Sequence, residues 1–178
     1  DVYERMEGEL AGSPVGAGGV ICLPYFQGRL APDWNGAARG AFQGVTLATT
    51  RADLTRAIVE GVCCELGAQL RRLERYVHIG SVSLAGGLTR SPAINQIQAN
   101  VYGKPVTRCD DAEATIRGAW MNAAVSLGVY GTLDEAWHYV RQPGKTYYPD
   151  PDAHAYYCGQ IQRMERLYAG IYGKSESS

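Results

Sequence analysis

The stretch GAFQGVTLATTRADLTRAIVE, residues 40–60, changes its period part-way along. From Gly40 to Val45 polarity alternates between two glycines, the pattern of a short, glycine-weakened strand. At Thr50 the pattern changes. Thr50 with Asp53 three residues later is a capping box, in which the hydroxyl serves the Asp53 amide and the carboxylate reaches back. Behind it Leu54, Ile58, Val62, Leu66, Leu70 and Leu73 recur at helical spacing and predict a helix over 50–76. A strand feeding a long capped helix sets the expectation of an α/β domain.

Working outward, Val2, Met6 and Leu10 recur every four residues and place the first residues inside a helix. Asp1 is not a natural initiator, so the chain is expected to be part of something longer. A glycine-rich loop over 13–19 leads to an apolar strand over 19–26, with Pro24 at its end or edge, and 27–39 has the chemistry of a loop. Downstream, 77–84 reads as a strand that exits into Gly86-Gly87. Ser91 is then an N-cap with Pro92 at the first helical position, and Ile94, Ile97 and Val101 give this helix an apolar face up to Gly103. A brief strand over 105–109 precedes a small-residue helix, whose Ala112, Ala119, Ala123 and Ala124 are expected to pack closely on a sheet. Gly128 and Gly131 end that helix, and 132–135 starts a short one carrying Trp137. The Pro/Tyr stretch 143–152 reads as extended, 151–172 as a last helix and 173–178 as a frayed end. With no internal repeat, the expectation is one α/β domain with a mixed sheet.

Bulk properties exclude several partners. At 178 residues the chain fits one domain and closes a real core. A net charge of −1, with no basic stripe, argues against nucleic acid. No apolar run is long enough to span a bilayer, and no secretion signal opens the chain. The five cysteines, Cys22, Cys63, Cys64, Cys109 and Cys158, are odd in number and lack metal spacing. They read as reduced, with Cys63-Cys64 as small buried hydrophobes, and the protein as cytoplasmic.

Most chemistry-bearing residues have a structural reading beside the functional one. Gly173-Lys174-Ser175 imitates the end of a phosphate loop, but Tyr168 stands where that loop needs a glycine. His78, His138 and His154 are scattered, none paired with a Cys or an acid at metal spacing, and suit surface or capping roles. Asp110, Asp111 and Glu113 fit a helix N-terminus, or else border a cleft. Tyr147-Tyr148 and Tyr156-Tyr157 pack the last helix, or else form an external interface. Gly86-Gly87 has two readings. It is a sharp bend, or it brings backbone close to a flat ligand such as a nucleoside at the carboxyl end of a strand. In the second reading the helix N-terminal amides and the Ser91 hydroxyl donate to that ligand.

Gly40-Ala41-Phe42-Gln43-Gly44-Val45, Asp53-Leu54 and Ala57-Ile58-Val59-Glu60 together resemble the signature segment of the FGGY carbohydrate kinases. The upstream residues Leu23-Pro24-Tyr25-Phe26, Gly28-Arg29, Pro32 and Ala38-Arg39-Gly40 look like the stretch that precedes it in that family. Downstream, Gly86-Gly87, Ser91-Pro92, Gln96, Gly103 and Pro105-Val106 are similar to the family's adenosine-binding segment. The tail, 149–152 through Tyr157 and Leu167-Tyr168, resembles the end of xylulokinase-like members. Two departures stand out. Leu88 replaces a small residue after the glycines, and Leu30-Ala31 stand where one residue is expected before Pro32.

The resemblance implies an α/β ribonuclease-H-like (actin-like ATPase) domain, a mixed sheet flanked by helices, corresponding to the second, ATP-binding domain of such a kinase. It implies ATP and Mg2+ as cofactors, a sugar or polyol substrate, and an N-terminal sugar-binding domain absent from this chain. The adenosine would lie on Gly86, Gly87 and Leu88, near Ser91. No catalytic or metal-binding residue of the family is matched here, because the catalytic Asp and the domain's own phosphate turn are expected upstream of Asp1. The tail tilts the substrate toward a pentulose such as xylulose. The alternative is a non-catalytic packing or oligomerisation module of the same fold, and a homodimer is compatible with either reading.

Overall fold

In a computed structural model, residues 2–109, 114–140 and 144–173 are described. The elements run α1 (Val2–Ala11), β1 (Ile21–Leu23), β2 (Ala41–Gln43), α2 (Arg51–Leu73), β3 (Val82–Leu84) and α3 (Pro92–Tyr102). They continue with β4 (Val106–Arg108), α4 (Ala114–Ser126), α5 (Leu133–Val140), β5 (Thr146–Tyr147) and α6 (Pro151–Tyr172). Strands β1 and β2 form an antiparallel ribbon in which Cys22 faces Phe42. The other sheet is mixed in the order β3-β4-β5, parallel between β3 and β4 and antiparallel between β4 and β5.

The capping box forms as its sequence requires. Thr50 Oγ1 accepts from the Asp53 amide at 3.2 Å, and Asp53 Oδ2 accepts from the Thr50 amide at 2.9 Å. Asp53 does more than cap. Its Oδ1 also accepts from Ser13 Oγ at 2.6 Å, which fastens the glycine-rich loop to the start of α2.

About two turns further on, Glu60 is fully buried. It accepts from Arg56 Nε at 2.7 Å, the Tyr157 hydroxyl at 2.7 Å and the Gly16 amide at 3.1 Å. Arg56 in turn donates to the carbonyls of Leu10, at 2.9 Å, and Ser13, at 2.8 Å. One ion pair therefore collects the end of α1, the loop after it, α2 and α6.

The face that α2 buries differs from its leucine ladder. The buried positions include Ala57, Gly61, Cys63, Cys64 and Gly67, while Val62, Leu66 and Leu73 are exposed. Close approach explains the choice. A Cβ on Gly61 would sit 2.6 Å from the Cys22 carbonyl oxygen, and one on Gly67 would sit 2.7 Å from Val101 Cγ1. Small residues let β1 and α3 come in against the helix, and the larger side chains are left outside.

Four further features differ from the sequence reading. The helix ends at Leu73 rather than near 76, and the strand expected over 77–84 is only Val82–Leu84, with a turn over 74–77 and irregular backbone from 78 to 81. Helix α2 packs on β1, whereas the sheet containing β3 is covered by α3 through Ala99, Val106 and Tyr147. Helix α4 leaves Ala119 and Ala123 exposed and rests against α5 instead of a sheet. Arg117 Nη1 donates to the Val140 carbonyl there, at 2.6 Å, and of the predicted alanines Ala124 is buried. Ala112, Asp110, Asp111 and Glu113 lie outside the described residues, as do Lys174 and Ser175. Cys63 and Cys64 are buried thiols in the main core, as expected.

Two substitutions test this framework. Glu60→Gln removes the counter-charge of Arg56, whose side chain is only 12% exposed, and should cost about 3–5 kcal/mol in a denaturant titration. A loss below about 1 kcal/mol would show that the ion pair is not the tie described. The Asp53 carboxyl is held below the usual aspartate range by its bonds from Ser13 and from the Thr50 amide and hydroxyl. Its stabilisation is therefore complete above the ordinary aspartate pKa and is lost as pH falls through the lowered one. The melting-temperature gap between wild type and Asp53→Asn should be widest near neutrality and close in acid; a gap independent of pH contradicts it.

Candidate nucleotide site

Strand β3 ends at Leu84, and two residues later the chain turns at Gly86, with φ +102° and ψ 176°. An L side chain rarely adopts this conformation, so the bend itself requires the glycine. Nothing lies within 4 Å of the position a Cβ would take there, so the outer side of the turn is open. Gly87 is a different case, because its backbone is not in the left-handed region and a Cβ would meet only the Tyr3 hydroxyl, at 3.1 Å.

The turn is locked from beneath. The Gly86 carbonyl accepts from the Thr89 amide at 3.2 Å and the Thr89 hydroxyl at 2.7 Å, and Asn95 Nδ2 donates to the Thr89 carbonyl at 2.8 Å. Leu88 projects outward from this single helical turn with 59% of its surface exposed, a large apolar side chain beside two glycines.

Ser91 caps α3 as its sequence position requires, accepting from the Ile94 amide at 3.1 Å. Its single proton is committed to Glu7 of α1, and Glu7 Oε1 also accepts from the Ala93 amide at 2.9 Å. The hydroxyl expected to face a ligand is therefore part of a bond between two helices. Gly87 and Leu88 are exposed and Gly86 is half-buried, while Ser91 is buried.

The upstream motif folds as an anchored loop. Arg29 stacks over Tyr168, 4.1 Å from the ring centre, and pairs with Asp33 at 3.2 Å. Asn35 Nδ2 donates to the Tyr168 hydroxyl at 2.9 Å, and the Arg39 amide donates to the Tyr172 hydroxyl at 2.8 Å. Tyr25 donates to Glu65, and burial raises both groups above their ordinary values. Among the described residues no three of His, Cys, Asp and Glu converge as a metal-binding set.

The profile of the FGGY family of carbohydrate kinases, C-terminal domain, matches residues 3–127. The chain belongs to this family. A glycerol kinase of Polaromonas naphthalenivorans is 39% identical over 132 residues, which cover 71% of this chain and 27% of that protein. A xylulose kinase of Staphylococcus epidermidis is 26% identical over 175 residues, 98% of this chain and 34% of that one. The crystal structure of a xylulose kinase from Rhodospirillum rubrum superposes with a TM-score of 0.82 at 29% identity, over 96% of this chain and 34% of that chain. A ligand-bound xylulose kinase from Lactobacillus acidophilus gives a TM-score of 0.85 at 25% identity, over 94% of this chain and 34% of that chain. The present chain thus spans about a third of the length of the relatives it matches. Its fold is the α/β, actin-like ATPase fold of these FGGY kinases.

Sequence reasoning located the glycines and both helix caps but missed the roles of Glu60, Glu7 and His154. Glu60 lies inside the signature, and Arg56 four residues before it was the available signal for an ion pair, though not for its burial. His154 is not isolated: Cys158, one turn on, faces it at 3.5 Å. Spacing of four on a helix was the available signal. His138 likewise pairs with Asp134 one turn before it, at 3.5 Å.

The two glycines should separate on substitution. Gly86→Ala forces a Cβ into positive φ and should lower stability by about 1 kcal/mol or more. Gly87→Ala needs only a small retreat of the Tyr3 side chain, so its melting temperature should stay close to that of wild type. Equal losses at both positions would remove the distinction.

Proposed function

We propose that this chain is the ATP-binding half of a kinase that phosphorylates a sugar or polyol hydroxyl. The observation that carries the reading is the open, locked glycine turn at the exit of β3, within a chain of this family. Adenosine lies on the exposed backbone at Gly86 and Gly87, against the side chain of Leu88. Ser91 serves the site by fixing α3 behind the turn, with its proton held by Glu7.

Bound ATP supplies the phosphoryl group, and Mg2+ offsets the charge on its phosphates. The described residues offer the metal no ligand set of their own, so it is proposed to arrive with the phosphates. The catalytic base is proposed to lie outside these 178 residues and most of the sugar contacts in an N-terminal domain, which the present domain closes upon to exclude water. A pentulose such as xylulose is favoured, because the xylulose kinase alignment runs through α6 and covers 98% of the chain, against 71% for the glycerol kinase. Among the described residues no helix is long and apolar enough to cross a membrane, and a cytoplasmic setting fits this chemistry.

The test pairs binding with turnover. Calorimetric titration of ATP should show binding that Gly87→Ala weakens by about tenfold, equivalent to ~1.4 kcal/mol, at near-unchanged melting temperature. A coupled assay with xylulose should detect no turnover by this chain alone. Unchanged ATP affinity in Gly87→Ala would sink the glycine site. Absence of ATP binding even when the N-terminal domain is supplied would favour the non-catalytic packing module. Turnover that copurifies with the isolated chain would overturn the assignment of the catalytic base to residues outside it.

A further inference from the structure

Away from the glycine turn, α6 carries a thiol in an organised polar setting. Cys158 is half-buried, and its Sγ lies 3.5 Å from His154 Nε2 and 2.9 Å from Arg71 Nη2. The ring of His154 is fixed from its other side, where Nδ1 lies 2.8 Å from the Asn100 carbonyl oxygen. A carbonyl only accepts, so in the neutral ring Nδ1 carries the proton and the Nε2 lone pair faces the thiol. Gly103, at φ +65°, packs its backbone under the ring, where a Cβ would sit 2.4 Å from Cε1. A nucleophile, a base within reach and a third group that orients the base are thus assembled on two elements, α6 and α3.

Arg71 joins this group to a second feature. It also lines a cavity of about 550 Å³ between α2 and α6, together with Arg72, Arg75, Tyr76, Gln162 and Glu165. Three arginines against one glutamate make this cavity attractive to anions, and Arg71, which donates to Cys158 Sγ, links it to the thiol.

We propose that Cys158 is a modification site that forms a mixed disulfide with small anionic disulfides, with Arg71 and the cavity beside it receiving the negative charge. The Sγ proton passes to His154 Nε2 as Sγ attacks one sulfur of the disulfide. The new Sγ–S bond forms, the original S–S bond breaks, and the departing thiolate takes the proton back from the imidazolium. Cys158 is oxidised and half of the incoming disulfide is reduced to a thiol, so no other oxidant is needed. Arg71 Nη2 donates to Sγ and stabilises the charge that builds on it.

The chain contains its own controls. Cys22, Cys63 and Cys64 are buried, and burial pushes the first thiol up to about 11, the second up to about 12, and the third upward as well. Cys109, on the strand edge after β4, is half-buried and is the internal competitor.

The probe is 5,5′-dithiobis(2-nitrobenzoate), a dianionic disulfide, compared with neutral 2-hydroxyethyl disulfide. Rates for each are normalised to its rate on free cysteine, and peptide mapping locates the adduct. Cys158 should react first, about tenfold faster than Cys109, and should favour the dianionic reagent. Cys158→Ser should abolish the fast phase. Arg71→Gln should erase the preference for the anion while Arg71→Lys retains it, and His154→Gln should slow both reagents. Adduct appearing first on Cys109, a fast phase that survives Cys158→Ser, or equal normalised rates for the two reagents on wild type would each overturn the proposal. The wild-type mapping reads the outcome even if a variant fails to fold.

Discussion

The domain depends on the buried pair of Glu60 and Arg56. A carboxylate removed from water is tolerable only when donors replace its hydration, and here they come from Arg56, Tyr157 and the Gly16 amide, each within 3.1 Å. Because these donors belong to separate elements, satisfying one charge fixes the relative positions of α2, α6 and the glycine-rich loop. Arg56 extends the constraint to the carbonyls of Leu10 and Ser13, groups that the end of α1 and the turn after it would otherwise leave unpaired. The segment that contains Glu60 therefore holds residues that build the scaffold, and the glycine turn depends on them indirectly.

That dependence runs through α1. The helix is positioned at its end by Arg56 and presents Glu7 to the start of α3, where one carboxylate receives both the Ser91 hydroxyl and the Ala93 amide. An anion at a helix N-terminus is favoured by the unpaired amides and the helix dipole. In this molecule the protein supplies that anion itself. The glycine turn immediately before α3 is consequently a rigid ledge, held from below by Thr89 and Asn95, with only its outer face open.

Local chemistry was legible in the sequence wherever it is settled by near neighbours. The Thr50 capping box, the Ser91 cap with its following proline, and the limits of α6 at Pro151 and Tyr172 all follow from contacts within one turn. Reading failed where distant backbone decided the outcome. The ladder from Leu54 to Leu73 marks a helix correctly, but Gly61 and Gly67 determine which side is buried, because only they admit the Cys22 carbonyl and Val101. Glu7 and Ser91 are 84 positions apart, and no periodicity relates them. At the ledge itself the sequence marked two glycines without ranking them. The backbone separates them, since Gly86 is required by its positive φ and Gly87 is not.

The family profile matches through residue 127, yet the folded unit does not close there. Helix α6 buries Tyr157, Ile161, Met164 and Tyr168 in the main core, and Ile161 and Met164 each contribute roughly 1.5–3 kcal/mol by removal from water. It also supplies the Tyr157 hydroxyl to Glu60, and through Tyr168 it holds the Arg29 loop that precedes the signature. The tail therefore completes the core rather than decorating it. Tyr157, outside the profile, supplies one of the donors that make burying Glu60 tolerable, so the tail and the residues the profile matches share one electrostatic constraint.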